Sequence, residues 1–270
     1  MIKSILVHAE GGAGGARQID AALDIARKHD AHLTAMLNLP THRYLSTDPF
    51  GGTYLMAEAL AQARAELENQ QALLAARLER DDVPWDVLAT EGDLVAALAA
   101  AGALSDLIIV ERHCAGPGKV DPYPNLAGDL ALAVRLPVLA LPADGPLLNS
   151  NSPAVIAWNG STEAAAALRM AVPLLHDRPV TLLHIDEADG LFADNQALSY
   201  LSRHGIHAVA QSERRGIETI EETILRIAQS LGAGLLVMGA FGHSRLRQTL
   251  FGGVTKFMLR EARVPLLLGH

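Results

Sequence analysis

The chain has 270 residues, 50% of them hydrophobic but only 4% aromatic, with a formal charge of −8 and a single cysteine. That length allows two ordinary domains, and a core built from Ala, Leu, Val and Ile suits helices packed on a parallel sheet. The acidic balance argues against binding nucleic acid by phosphate neutralisation, and Cys114 alone excludes an internal disulfide and fits a reducing compartment.

In chain order, Ile5-Leu6-Val7-His8-Ala9 reads as a short strand. The glycine run from Gly11 to Gly15 leads into a helix with Ile19, Ala22, Leu23 and Ala26 on one face. A second strand is expected over residues 33–39, a proline- and glycine-bearing loop over 40–52, and a long helix over 54–80. Residues 83–89 form the third expected strand. Asp93 is placed to cap a helix through Ala101, 107–110 is a fourth strand, and a helix over 125–134 leads to a fifth strand over 137–141. Residues 142–153, with Pro, Gly, Asn and Ser, read as a linker. The second half repeats the order: strands over 154–158, 180–185, 206–211, 235–238 and 265–268, helices over 162–175, 194–203, 217–231 and 252–263. The most apolar stretch, residues 130–141, is cut by Arg135 and Pro137 and does not read as a membrane span. The opening residues run straight into a strand without a leader pattern, so a cytoplasmic protein is expected.

Strictly alternating strands and helices demand parallel strands with right-handed crossovers. The expected fold is α/β: two doubly wound, Rossmann-like, parallel five-stranded sheets of order 3-2-1-4-5, one per domain (residues 1–143 and 152–270). The proline-initiated strands 137–141 and 265–268 should lie at sheet edges and pack together about a pseudo-twofold axis.

The most telling passage comes after the fourth strand of the second half. Gly239-Ala240-Phe241-Gly242 is followed after nine residues by Gly252-Gly253-Val254-Thr255, at the start of a helix. Bare N–H groups at a helix N-terminus carry partial positive charge, and glycines there leave room for an anion. A shift of 128 residues lays Pro137 on Pro265 and the run 106–110 on 234–238 without a gap. At that register Gly239, Gly242, Gly252 and Thr255 face Glu111, Cys114, Pro124 and Ala127, so the first half has lost the loop chemistry. In the order 3-2-1-4-5 the turn Trp158-Asn159-Gly160-Ser161 after strand one converges with the glycine loop after strand four.

Gly-x-x-Gly, nine residues, Gly-Gly-Val-Thr and a closing apolar strand resemble the nucleotide-binding signature of the universal stress protein family, and the whole chain resembles a tandem member. The resemblance implies an adenine nucleotide (ATP, ADP or AMP), with Mg²⁺ as a further ligand, held in the second half for a sensor or accessory role. It implies that Trp158, Asn159 and Ile185 flank base and ribose. It likewise implies that Met238, Gly239, Gly242, Gly252, Gly253, Val254 and Thr255 surround ribose and phosphates. Two positions depart from the family pattern: Asn159 stands where aspartate is usual, and Gly253 where serine or threonine is usual. In the first half Glu10, Glu111 and Pro124 oppose a phosphate, so that half is expected to be empty.

Other readings stay open. Glycines also serve tight turns, and Trp158 also serves as a packing residue. A pure interaction module without nucleotide is the alternative, with a homodimer as a further expectation. A slow ATPase or phosphotransferase ranks last, since no residue stands out as general base. Arg245, Arg247 and Lys256 are the basic residues beside the loop, and His243 adjoins Gly242. The pairs His29/His32 and His204/His207 lack a third ligand nearby, and no metal site or catalytic residue is assigned.

Overall fold

Apolar strand runs alternate with amphipathic helices in two compact units, Met1–Ile109 and Val110–His270. The structure is a computed structural model that describes residues 1–9, 13–47, 53–112, 123–145, 148–149, 151–186, 193–214, 216–240 and 253–270.

The first unit runs β1 (Ser4–His8), α1 (Ala13–His29), β2 (His32–Leu39), a 3₁₀ turn (Thr41–Tyr44), β3 (Leu45–Thr47) and β4 (Thr53–Leu55). It continues with α2 (Ala57–Leu78), β5 (Trp85–Glu91), α3 (Leu94–Ala101) and the first residues of β6 (Leu107–Arg112). Its strands lie in the order β5-β2-β1-β6, all parallel, with Ile5 opposite both Leu33 and Leu107. Asp93 caps α3 as its position implies: the Ala96 N–H donates to its carboxylate at 2.8 Å. The helix expected from residue 54 starts instead at Ala57, because Tyr54 belongs to β4, which pairs antiparallel with β3.

The second unit contains the end of β6, then α4 (Leu126–Ala133), β7 (Val138–Pro142), β8 (Ala154–Trp158), α5 (Thr162–Leu175), β9 (Val180–Asp186) and α6 (Ala193–Arg203). It closes with β10 (Ala208–Arg214), α7 (Ile220–Ser230), β11 (Leu235–Gly239), α8 (Gly253–Glu261) and β12 (Leu266–Gly269). Five of its strands, β10-β9-β8-β11-β12, reproduce the order 3-2-1-4-5 in parallel.

The expectation of separate five-stranded sheets needs correction. In the second unit β7, expected as the last strand of a first sheet, adds to β12 in antiparallel register, with Leu266, Leu267 and Leu268 opposite Ala140, Leu139 and Val138. The two proline-initiated strands therefore meet as expected, yet neither is an exposed edge, since both are buried throughout. An apolar closing strand would otherwise leave a row of unpaired backbone groups, and its counterpart satisfies them. Antiparallel pairing of two corresponding strands is the local form of a twofold.

Helix α5 covers this sheet with Ala164, Ala167, Leu168 and Ala171, all buried. Its small residues let it lie close on the strand ends. A Cβ on Gly269 would stand 2.6 Å from the Ala167 Cα, and Gly269 is the register partner of Gly239. Helix α7 begins three residues later than the apolar pattern implies, at a capping box. The Glu222 N–H donates to the Thr219 hydroxyl at 3.3 Å, and the Thr219 N–H donates to the Glu222 carboxylate at 2.8 Å.

Candidate functional site

Strands β8 and β11 are neighbours at the point where the winding reverses, so their carboxyl ends border one crevice. After Trp158 the chain turns through Asn159 and Gly160, whose φ of 74° is the left-handed conformation that glycine adopts without strain. The Asn159 side-chain oxygen accepts from the Ser161 N–H at 3.1 Å, and the Ser161 hydroxyl oxygen accepts from the Ala164 N–H at 3.1 Å to cap α5. With its oxygen bound to an N–H, Asn159 turns its amide nitrogen, two donors, the other way. An aspartate there would offer only acceptors.

A cavity of about 340 Å³ opens at this crevice. Its apolar side is formed by Trp158 from β8, Leu183 and Ile185 from β9, Ile220 and Ile224 from α7, and Met238 from β11. Its polar lining is Asn159, Ser161 and Glu163, and the first turn of α8, Gly253, Val254 and Thr255, also borders the space. The structure thus brings together Trp158, Asn159, Ile185, Met238, Gly239, Gly253, Val254 and Thr255 around one space. Gly242 and Gly252 lie outside the described residues, as do His243, Arg245, Arg247, Cys114 and Glu10. The His184 Nδ1–H donates to the Trp158 carbonyl at 3.0 Å, tying β9 to the end of β8 beneath the apolar side. Trp158 is buried and lines the cavity, so it packs the sheet and presents a surface to the crevice at once.

The two described glycines of the motif differ in what requires them. A Cβ on Gly239 would stand 2.6 Å from the backbone nitrogen of Ala164 and 2.6 Å from the carbonyl carbon of Glu163. Its φ lies outside the left-handed region, so close approach of α5, not a turn angle, demands glycine there. A Cβ on Gly253 would meet nothing within 4 Å. That position is open space at the start of α8, the end of a helix that favours an anion.

Ser161, Leu183, Ile220 and Ile224 line the cavity without being part of the motif, and so does Glu163, the charged one among them. The Thr162 hydroxyl donates to its carboxylate at 3.1 Å. Its own backbone N–H, then the Thr162 and Ser161 hydroxyls and the charge on His270, hold its pKa below the ordinary glutamate value against the cost of desolvation. An acid two residues after a serine cap was the available signal.

At the position of Ala240 in the 128-residue register the first half carries Arg112, buried at the end of β6. Its guanidinium donates to the carbonyls of Ala140, Met258, Leu259, Ala262 and Val264 at 2.7–3.4 Å. Met258 and Leu259 lie in the last turn of α8, at the negative end of the helix dipole; the Met258 carbonyl also accepts from the Ala262 N–H at 3.0 Å. Arg112 therefore anchors the far end of the helix whose first turn lines the cavity. Among the described residues no group of three or more His, Cys, Asp or Glu is placed to hold a metal ion. No described helix is long and apolar enough to cross a membrane.

Residues 151–269 match the model of the universal stress protein family. A universal stress protein of Synechocystis is 30% identical over 119 residues, which make up 42% of this chain and 40% of that relative. The chain thus matches well under half the length of this curated relative. The crystal structure of a universal stress protein from Archaeoglobus fulgidus aligns over 98% of this chain and 95% of its own, with a TM-score of 0.77 at 15% identity. A functionally unknown protein from Pseudomonas aeruginosa aligns over 99% and 92%, with a TM-score of 0.61 at 18% identity. At such identities the likeness is one of fold.

Proposed function

On the footing that residues 151–269 form a universal stress protein domain, we propose that this domain binds an adenine nucleotide and that the chain serves as a stress-associated sensor or accessory factor in the cytoplasm. The observation that carries the reading is the cavity itself. It holds an apolar slot between Trp158, Ile185 and Met238, suited to a flat base, and the open first turn of α8 at Gly253, suited to phosphate. The Asn159 amide supplies donors to ring nitrogens, ribose or phosphate oxygens. The first half, with Glu111 and Arg112 where the second has Gly239 and Ala240, is read as not binding nucleotide.

Calorimetric titration of the full chain with ATP, ADP and AMP tests this, together with mass spectrometry of small molecules that co-purify. One site per chain is expected. Absence of heat and of thermal shift with all three would end the reading, and two sites would end the assignment of an empty first half.

A second reading, an interaction module without nucleotide, draws on Gly239: packing against α5 explains that glycine with no ligand at all. It requires that a bulky residue at Gly252 change no ligand affinity. Catalysis ranks last, and no catalytic residue is assigned.

A further inference from the structure

We propose that Glu163 sets the charge of the ligand, so that the cavity takes a nucleoside or nucleoside monophosphate in preference to a di- or triphosphate. The inference rests on the nucleotide reading and names the class of nucleotide. Two helix N-termini, those of α5 and α8, line the cavity. They are not equivalent. The first turn of α5 is engaged by its own residues: the Ser161 hydroxyl accepts from the Ala164 N–H, and the Glu163 carboxylate accepts from the Thr162 hydroxyl and from its own backbone N–H. The partial positive charge of α5 is thereby matched from within, and the turn of α8 at Gly253 remains for a phosphate.

Magnitudes decide how much phosphate that turn can balance. A helix N-terminus offers roughly half an elementary charge, while a single phosphate group near neutral pH carries about −1.5 to −2. Among the described lining residues Glu163 bears the one formal charge, and it is negative. Lys256, in the same turn-and-a-half of α8, is exposed and does not line the cavity. The backbone of α5 is seated directly on Gly239, which keeps the Glu163 main chain at the cavity, and the Thr162 hydroxyl holds its carboxylate there. A lengthening phosphate chain therefore adds negative charge beside a fixed carboxylate. Repulsion between such groups in a partly desolvated site outweighs what one more backbone contact supplies.

The test is calorimetry of adenosine, AMP, ADP and ATP, without added divalent cation, on the full chain and on Glu163→Gln and Glu163→Asp. In the unaltered protein affinity should fall from AMP to ATP by on the order of tenfold. Glu163→Gln should remove most of that fall and Glu163→Asp should retain it. Raising the salt concentration should also narrow the gap in the unaltered protein, a readout that stands even if Glu163→Gln fails to fold. Affinity that rises with each added phosphate, or an unchanged order in Glu163→Gln, overturns the inference while leaving nucleotide binding intact. Failure of all four ligands to bind overturns the nucleotide reading and this inference with it.

Discussion

The ends of β6 and β11 occupy the same place in the repeated pattern and have been put to opposite uses. β11 ends on Gly239, pressed against α5 so closely that no side chain fits, and the crevice beside it stays open. One residue past the counterpart of Gly239, at the counterpart of Ala240, β6 ends on Arg112, a long cation driven into the interior and satisfied by five backbone carbonyls. A strand end pointing at a switch point can thus shape a cavity by having no side chain, or bind neighbouring backbone by having a large one. The first half thus uses this position to hold helix α8 of the second.

The sharpest way to break this contrast is Arg112→Met, which keeps the unbranched apolar stem but removes the donors to those carbonyls, of which Met258 retains the Ala262 N–H. A loss of about 3–5 kcal/mol in urea unfolding is expected, with ligand affinity falling as α8 loosens. A loss under about 1 kcal/mol would show that Arg112 is incidental. Gly239→Val should come next, at about 2–3 kcal/mol, because its Cβ meets main chain that cannot rotate away. Its nucleotide affinity should drop at least as much as its stability, measured by calorimetry beside the unfolding curve. Ser161→Ala removes the cap of α5 and should cost about 1 kcal/mol. Smallest of all should be Gly253→Ser, within about 0.5 kcal/mol in stability, since the new side chain meets only open space. It should strengthen binding of AMP, and a weakened AMP titration would mean that Gly253 does not face the phosphate.

Much of this was legible in the chain. The runs 107–110 and 235–238 read as buried strands because nothing in them is polar, and Asp93 marked a helix start by its chemistry. The glycine motif led to the cavity, which Gly239 and Gly253 line. What stayed hidden depends on partners far along the chain. Nothing local in Leu-Ile-Ile-Val-Glu-Arg says that Arg112 reaches carbonyls up to 152 residues away. The runs 137–141 and 265–268 read as strands that meet, but pattern alone does not show that they share a hydrogen-bonded ladder and are both buried instead of lying at sheet edges. The β3–β4 pair is too short to show alternation. The capping box at Thr219 and Glu222 was present in the sequence, and the apolar run from Ile217 masked it.

The seam between β7 and β12 bears on how the gene can be dissected. A fragment begun in the linker, at residue 152, would carry every described residue that lines the cavity and still lack the strand that shields Leu266, Leu267 and Leu268. Its bare flank would recruit whatever sheet it met first, most readily another copy of itself. A faithful miniature has to start upstream of Val138, and upstream of Arg112 if the anchor of α8 is to travel with it.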